Sequence, residues 1–480
     1  MSSRYEPVIG LEIHAQLQTR TKIFCGCSTA FGAAPNSQVC PVCLGLPGAL
    51  PVLNRLAVDY AIKAALALGC TVQPQSIFAR KNYFYPDLPK GYQISQFDRP
   101  LATDGGLDAP AGGSLRRVAI RRIHLEEDAG KSLHDRLPGR TAIDLNRAGV
   151  PLIEIVTEPV IASAAHARAY LVRLKQLLQY IEVSDCDMEK GSLRVDANVS
   201  VRPAGEYTLG TKTEVKNLNS FANVERAIEY EIARQIGVLN AGGPITQETL
   251  LWDATRGVAR GMRSKEESHD YRYFPDPDLP PLQIAIERIE RIRAALPELP
   301  AAKAQRFREK YGLPAYDAEV LTADRAVAAY FEEVVAVAID PKAASNWVMT
   351  DVLGTLKQRD TSVSALPIRP SQLGELIVLV TKGAISHSVA RQVFGKMLET
   401  GASAHAIVET EGLAQTSDTT RLEAWAREII ERHPAEVQRY RAGDEKLLSF
   451  FMGQLMKASK GKADPKRSSS IFQQLLRLEH

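Results

Sequence analysis

The feature that most constrains this chain is a set of short apolar stretches in which charged residues occupy alternate positions. In the first stretch, GLEIHAQL at residues 10–17, Glu12, His14 and Gln16 alternate with four apolar residues. Successive side chains of a β-strand point to opposite faces, so this alternation predicts a strand with one apolar and one polar face. The fold must therefore provide a sheet face that accommodates a carboxylate beside an imidazole.

Four further stretches of the N-terminal half repeat this pattern. They read RRIHLEEDAGK, PLIEIVTEP, RVDANVSV and GTKTEVKNLN. In the first of them the alternation separates Glu126 from Glu127 and favours Glu126 as a member of the polar face. The other residues predicted on these polar faces are His124, Asp128, Glu154, Asp196, Asn198, Lys212, Glu214 and Lys216.

Two interpretations of the polar faces are open from the residues alone. In the first, the strands form an antiparallel sheet with one solvated face, which is a common arrangement. In the second, the face is concave and holds Mg²⁺, because Glu, Asp, His and Asn are typical ligands of divalent cations. A carboxylate in an otherwise apolar strand is also costly unless it is paired or metal-bound. The candidate ligands are Glu12, His14, Glu126, Glu154, Asp196 and Glu214.

A Mg²⁺ site of this kind predicts a phosphate-bearing ligand, because Mg²⁺ usually completes its shell with water and phosphate oxygens. The candidates for offsetting phosphate charge are Lys81, Lys212, Lys216, Arg263 and Lys265. The stretch AGKS at residues 129–132 resembles the end of the familiar phosphate-binding loop, but Leu125 stands where that motif requires its first glycine. The match to that loop therefore fails.

The second constraint is a cluster of cysteines. Four of the six cysteines fall within nineteen residues in the pattern C-x-C-x12-C-x-x-C, formed by Cys25, Cys27, Cys40 and Cys43. Two close pairs separated by a short loop are typical of a tetrahedral structural Zn²⁺ site, which leaves no open position for catalysis. Two pairs of reduced, non-ligating cysteines are the alternative.

The chain divides into a mixed N-terminal part and a helical remainder. Short strands and Gly/Pro-rich loops, interrupted by a few helices, give way near residue 285 to segments of helical period. A later helix begins with Ser, Asp and Thr capping residues after a second boundary. We therefore predict an α+β chain with three domains. They are a mixed or antiparallel sheet domain with a zinc-bound loop at 1–293, a helical domain at 294–410 and a small helical domain at 411–480.

Bulk properties place weak limits on function. The formal net charge of +3 permits a nucleic-acid surface without requiring one. The N-terminus lacks a basic-then-apolar leader, and no apolar run approaches the roughly 18 residues of a membrane span. We expect a cytoplasmic protein without membrane contacts.

The chain resembles the B subunits of bacterial and organellar tRNA-dependent amidotransferases. The matching stretches include VIGLEIHAQL, KNYFYPDLPKGYQISQ, DLNRAGVPLIEIVTEP, MEKGSLRVDANVSVRP and MRSKEESHDYRYFPDPDLPPL. The resemblance implies an ATP-dependent ligase of the EC 6.3.5 class that converts Glu-tRNA(Gln) or Asp-tRNA(Asn) to the amide form. It further implies that an N-terminal cradle domain binds ATP with Mg²⁺ and phosphorylates the tRNA-bound side-chain carboxylate, which ammonia then converts to the amide.

The resemblance also assigns residues. The family's metal ligands correspond to Glu12, His14, Glu126 or Glu127, and Glu154. Asp196 and Glu214 are the candidates for the metal that accompanies the nucleotide. The four clustered cysteines correspond to a structural Zn²⁺ site that only some family members have. The lysines of the C-terminal tail that are implied to contact tRNA are Lys457, Lys460, Lys462 and Lys466.

No segment resembles an amidase that releases ammonia from glutamine. The resemblance therefore implies a heterotrimer with a glutaminase A subunit and a small C subunit. It also implies misacylated tRNA as substrate and a non-discriminating aminoacyl-tRNA synthetase as a further partner. Two other functions stay open from the residues: a non-catalytic, zinc-stabilised RNA-binding protein, and a stand-alone metal-dependent hydrolase.

Overall fold

The computed structural model describes residues 4–261, 271–414, 419–459 and 462–477. The chain forms two compact units, Met1–Leu299 and Pro300–His480. A mixed sheet dominates the first unit and helices make up the second, which confirms the predicted α+β class. Among the helices in the described ranges, none has both the length and the apolar character needed to cross a membrane.

Sixteen strands are described, and all of them belong to the first unit. In chain order they are β1 (Tyr5–Gln16), β2 (Thr71–Val72), β3 (Gln75–Ser76), β4 (Ala79–Asn82), β5 (Tyr92–Ser95), β6 (Ala102–Ala111), β7 (Ser114–Glu127), β8 (Lys131–Leu137), β9 (Arg140–Asp144), β10 (Pro151–Thr157), β11 (Leu193–Pro203), β12 (Thr213–Lys216), β13 (Thr249–Asp253), β14 (Val258–Gly261), β15 (Phe274–Pro275) and β16 (Leu282–Gln283). The stretches with charged residues at alternate positions form strands, as their period of two predicts, but Asp128 follows the end of β7 and Lys212 precedes β12.

Nine of these strands form one sheet in the order β14-β13-β12-β11-β1-β10-β7-β6-β2. Neighbours pair antiparallel except β12 and β13, which run parallel. Smaller sheets are formed by β15-β4-β5, by β16-β3 and by β8-β9. The strand order places β1 at the centre of the large sheet, between two strands that are distant from it in sequence.

Four helices accompany the sheets of the first unit: α1 (Arg55–Ala67), α2 (Ala164–Tyr180), α3 (Phe221–Asn240) and α4 (Ile286–Ala294). The first three begin where the side chain of Asn54, Ser163 or Ser220 accepts a backbone N–H, as expected of an N-cap. The apolar residues of these helices join one core cluster with the apolar residues of the strands, including Leu11 and Ile13. The apolar face of the sheet is therefore buried by helices, which leaves the charged residues on its other face.

The described part of the second unit contains twelve α-helices, a π-helical turn at Val348–Val352 and a short 3₁₀ helix at Val363–Ala365. The α-helices are α5 (Pro300–Tyr311), α6 (Ala315–Leu321), α7 (Arg325–Ala338), α8 (Pro341–Trp347), α9 (Leu353–Arg359), α10 (Pro370–Thr381), α11 (His387–Thr400), α12 (Ala404–Thr410), α13 (Thr419–Arg432), α14 (Pro434–Arg441), α15 (Leu447–Ala458) and α16 (Pro465–Arg477). Their buried residues form two separate clusters, one around Phe331 and Phe394 and another around Phe451 and Phe472. The division into two units does not test the three predicted domains, so their limits at 293 and 410 stay a prediction.

Candidate active site and metal-binding clusters

The register of three neighbouring strands brings imidazoles and carboxylates side by side. His14 of β1 lies opposite Glu154 of β10, and Glu154 lies opposite His124 of β7. Glu126 follows two residues after His124 and therefore shares its face. Four residues from three strands thus meet although up to 140 positions separate them in the chain.

The first cluster consists of His14, Glu126 and Glu154, whose candidate ligand atoms all lie within 4.8 Å of one another. Nε2 of His14 lies 3.4 Å from Oε1 of Glu126 and 3.4 Å from Oε2 of Glu154. Nε2 of His124 lies 3.1 Å from the same oxygen of Glu154. Glu126 also accepts a hydrogen bond from the hydroxyl of Ser95 at 3.1 Å. Both glutamates are buried.

The charges of this cluster compensate each other. Burial opposes protonation of His124, but the carboxylates of Glu154 and Glu126 outweigh it and raise the pKa of His124 to about 9. Burial likewise opposes ionisation of Glu154, yet His124 and His14 hold its pKa well below the usual range of a glutamate. An imidazole nitrogen with two carboxylate oxygens is a donor set that divalent cations accept. A bound cation would compensate the two carboxylates in place of the protonated imidazoles.

The second cluster consists of Glu12, Asp196 and Glu214, whose ligand atoms also lie within 4.8 Å of one another. Glu12 lies directly opposite Asp196 across β1 and β11. Burial, together with the nearby charges of Glu154, Glu214 and Asp196, raises the pKa of Glu12. Three carboxylates that repel each other in this way fit a hard cation such as Mg²⁺.

Two of the predicted basic residues lie beside the second cluster on this polar face. Lys216 Nζ lies 3.2 Å from Asp196 Oδ2 and 3.0 Å from Glu214 Oε1. Lys212 Nζ donates to Asn198 Oδ1 at 2.9 Å, and the amide of Asn198 donates to Glu12 Oε1 at 3.0 Å. The structure thus links both lysines to the second cluster.

Lys81 approaches the first cluster instead. Burial opposes its charge, but Glu126 and the neighbouring tyrosines raise the pKa of Lys81 above that of an ordinary lysine. Its ammonium lies 4.7 Å from the ring centre of Tyr271, in cation–π range. The remaining predicted basic residues, Arg263 and Lys265, lie outside the described residues.

Glu127 is not brought into either cluster. Its carboxylate forms an ion pair with Lys90 and accepts the backbone N–H of Ile94 at 2.9 Å. Because neighbouring residues of a strand face opposite ways, Glu126 and Glu127 cannot both join the cluster around His14. The family resemblance assigned one metal-ligand position to either Glu126 or Glu127, and the geometry favours Glu126.

Sequence reasoning missed Arg194, which forms a further charged group on this face with Asp128. Asp128 accepts hydrogen bonds from Arg194 at 2.9 Å and from the side chain of Gln16 at 2.7 Å. Burial alone would raise the pKa of Asp128, but the charges of Arg194 and Arg147 outweigh this effect and lower it. Arg194 lies opposite His14 across β1 and β11. Arg194 belongs to the stretch RVDANVSV, where it alternates with Asp196 and so shares its face. Only the register, however, could have revealed Asp128 as its partner.

The four clustered cysteines converge as predicted from their spacing. The Sγ atoms of Cys25, Cys27, Cys40 and Cys43 lie within 4.8 Å of one another. A hydrogen bond from Cys25, opposed by burial and assisted by the backbone N–H of Cys40, lowers the pKa of Cys43 to about 4. Four soft sulfur donors without a carboxylate or imidazole fit tetrahedral Zn²⁺. Cys70 and Cys186 are buried elsewhere in the core.

The tail lysines belong to the second unit. Lys457 lies on α15 and Lys466 on α16, both exposed, and the partly exposed Lys462 precedes α16. Lys460 lies outside the described residues.

Comparison with known protein families supplies an independent assignment. A family described as the GatB/GatE catalytic domain matches residues 7–290. The chain belongs to the GatB/GatE family. A second family match, described as GatB domain, covers residues 329–476 of this GatB/GatE chain. The resemblance found in the sequence is thereby confirmed.

Curated relatives of this GatB/GatE chain match it from end to end. Three of them, all named as the B subunit of aspartyl/glutamyl-tRNA(Asn/Gln) amidotransferase, come from Prosthecochloris aestuarii, Persephonella marina and Thermodesulfovibrio yellowstonii. The first is 56% identical over 472 residues and covers 98% of this chain and 98% of its own length. The second is 54% identical over 474 residues, with 98% and 100% covered. The third is 52% identical over 474 residues, with 99% and 100% covered.

Proposed function

We propose that this chain is the B subunit of an aspartyl/glutamyl-tRNA(Asn/Gln) amidotransferase. In this role it binds misacylated Glu-tRNA(Gln) or Asp-tRNA(Asn), activates the side-chain carboxylate with ATP and completes the amide with ammonia. The observation that carries the proposal is identity above 50% along the full length of relatives with that name. The two acidic clusters on one sheet face support it, because phosphoryl transfer is served by divalent cations and lysines placed together.

The chemistry requires an activated intermediate, since a carboxylate is a poor acyl donor and an acyl phosphate is a good one. Lys212 and Lys216 lie beside the second cluster, where they can offset charge on the transferred phosphoryl group. Asn198 fixes the carboxylate of Glu12 by a hydrogen bond, and Asp128 fixes Arg194. Divalent cations bound at the two clusters would supply further neutralisation of phosphate charge.

The first cluster would hold one cation through His14, Glu126 and Glu154, and the second through Glu12, Asp196 and Glu214. Mg²⁺ suits the second set especially, because all its donors are carboxylate oxygens. The four cysteines would hold a structural Zn²⁺, which has no open coordination position. The proposed Zn²⁺ therefore stabilises a loop and takes no part in the reaction.

The proposed partners follow from the same assignment. Relatives that are named as the B component of an enzyme imply further components, and no stretch of this sequence resembles an amidase. Ammonia would come from a glutaminase A subunit, with a small C subunit completing a heterotrimer. A non-discriminating aminoacyl-tRNA synthetase would supply the misacylated tRNA.

Co-expression with A-type and C-type subunits tests this function directly. We expect the purified complex to convert Glu-tRNA(Gln), Asp-tRNA(Asn) or both to the amide. The reaction should consume ATP and use glutamine as the nitrogen donor. A complex that binds tRNA but consumes no ATP would favour a non-catalytic RNA-binding protein. Full turnover of a substrate by this chain alone would favour a stand-alone hydrolase.

The tail lysines carry a separate prediction about tRNA affinity. Replacing Lys457 and Lys466 by glutamine removes two exposed positive charges from α15 and α16. Because a protein that neutralises fewer phosphates releases fewer counterions, we expect affinity for tRNA to fall about three- to tenfold at low salt. The slope of log affinity against log salt concentration should fall by about one for each phosphate that is no longer neutralised.

The control for the tail uses two other exposed lysines of the second unit, Lys357 and Lys382. The double variant Lys357→Gln, Lys382→Gln carries the same change in charge and should keep the salt slope of the unmodified chain. Filter-binding or anisotropy titrations at several salt concentrations provide the measurement. Equal slopes for both double variants would show that the tail makes no specific contribution.

A further inference from the structure

Lys22 follows β1 and has no exposed area, which is unusual for a lysine. Its Nζ donates hydrogen bonds to the backbone oxygen of Gln38 at 2.7 Å and to that of Leu145 at 3.4 Å. The third acceptor is Sγ of Cys43, at 3.5 Å. A buried ammonium group is costly unless an opposite charge compensates it, and carbonyl groups carry no net charge. The sulfur of Cys43 is therefore the partner whose charge can match that of Lys22.

The backbone of Lys22 contacts the other cysteine pair. Its N–H donates to the carbonyl oxygen of Cys27 at 3.0 Å. One residue thus connects the pair Cys25 and Cys27 through its main chain with the pair Cys40 and Cys43 through its side chain. The backbone N–H of Cys40 also donates to Sγ of Cys43, at 3.1 Å, so this sulfur receives two N–H donors.

The charge of the cysteine cluster explains why an ammonium group would be placed here. Four thiolates around a divalent cation leave two negative charges, and a partly buried environment offers little water to stabilise them. Hydrogen bonds from N–H groups to the ligand atoms reduce this cost and fix the ligands in position. Lys22 supplies both a full positive charge and such a hydrogen bond.

The side chain of Lys22 also contacts the segment that leads into β10. Leu145, whose carbonyl accepts from Lys22, lies just after β9, and Gly149 accepts the backbone N–H of Ile23 at 2.9 Å. Residue 151 begins β10, which carries Glu154. The loop that carries the cysteines and the segment before β10 are therefore joined by Lys22 and Ile23.

We propose that Lys22 is a positioning residue of the four-cysteine metal centre. It holds the two cysteine pairs at the metal and offsets one of the two negative charges that four thiolates and a divalent cation leave. This inference rests on the Zn²⁺ site of the proposed function but not on the proposed reaction, because it concerns the metal affinity of the chain.

The test compares metal affinity in the full-length chain and its Lys22→Met variant, which keeps an unbranched side chain one atom shorter and removes its charge. Competition between the protein and a chromophoric chelator measures affinity for Zn²⁺. The absorption of the Co²⁺-loaded protein reports whether four thiolates still bind. We expect affinity to fall about 10- to 100-fold, the usual effect of removing a hydrogen-bond partner of a ligand, with the Co²⁺ spectrum still that of a four-thiolate site.

The matched control is Lys131→Met, which removes a charge from the exposed start of β8 and should leave affinity unchanged. Thermal unfolding with and without a chelator distinguishes weaker metal binding from a general loss of stability. A drop in melting temperature confined to the metal-loaded form supports the proposal. Unchanged Zn²⁺ affinity in Lys22→Met would overturn it. So would an equal loss of stability with and without metal, or an unmodified chain that binds no metal at its cysteines.

Discussion

Replacing Glu154 by glutamine is expected to lower the rate of ATP-dependent amidation by at least about a hundredfold. Glu154 is buried in β10, and the imidazoles of His14 and His124 both approach its Oε2. Glutamine fills the same space but carries no charge, so it weakens cation binding at the first cluster and removes one of the two carboxylates that pair with both imidazoles. The measurement is the initial rate of amide formation by the co-purified complex on misacylated tRNA.

Glu158→Gln is the matched control for this experiment. Glu158 lies one residue beyond β10 and pairs with Arg121 at the surface, where both side chains are partly exposed. Removing its charge should leave the rate within about twofold, because exposed ion pairs contribute little. Full activity of Glu154→Gln, with an unchanged melting temperature, would mean that the first cluster takes no part in the reaction.

Replacing Cys43 by serine is expected to abolish stable metal binding at the cysteine cluster and to destabilise the first unit. Residues 17–54 contain neither an α-helix nor an extended strand, so no regular ladder of backbone hydrogen bonds holds this long connection in place. Because a bound metal stabilises the folded state that binds it, we expect the loss to exceed about 3 kcal/mol. This corresponds to a fall of at least about 5 °C in melting temperature.

The control for the metal experiment is Cys70→Ser, since Cys70 is buried at a distance from the four clustered cysteines. Elemental analysis should find one Zn²⁺ in this variant and none in Cys43→Ser. A chelator should lower the melting temperature of the unmodified chain and of Cys70→Ser, but leave that of Cys43→Ser unchanged. If Cys43→Ser retained a full equivalent of metal, the cysteine cluster would not be the site.

Much of the candidate site follows from local patterns. The period of two in GLEIHAQL and in RRIHLEEDAGK fixes which side chains share a face, since a strand turns each successive residue to the opposite side. That rule is enough to separate Glu126 from Glu127, and the structure brings only Glu126 to His14. The spacing of the cysteines likewise predicts that their sulfur atoms meet.

Other features depended on which strands become neighbours. From the residues alone the six candidate ligands formed one set, and the family resemblance grouped Glu12 with His14, Glu126 or Glu127, and Glu154. The order β12-β11-β1-β10-β7 instead divides the six into two clusters and places Glu12 with Asp196 and Glu214. Glu12 joins Asp196 and Glu214, whereas His14, two residues further along the same strand, joins Glu126 and Glu154. Pairing between strands is decided by burial of the whole apolar face of the sheet. This burial cannot be read from any single stretch of the sequence.

The sequence by itself determined the family, the fold class and the types of residue on the polar face, because these follow from local periodicity and from motifs that are continuous in the chain. The tertiary structure alone decided that Asp128 binds Arg194 and Gln16, and that the buried Lys22 reaches Cys43. The physical reason is that these contacts join residues up to 112 positions apart through strand register and loop packing. Register and packing minimise the free energy of the whole domain rather than of any one segment.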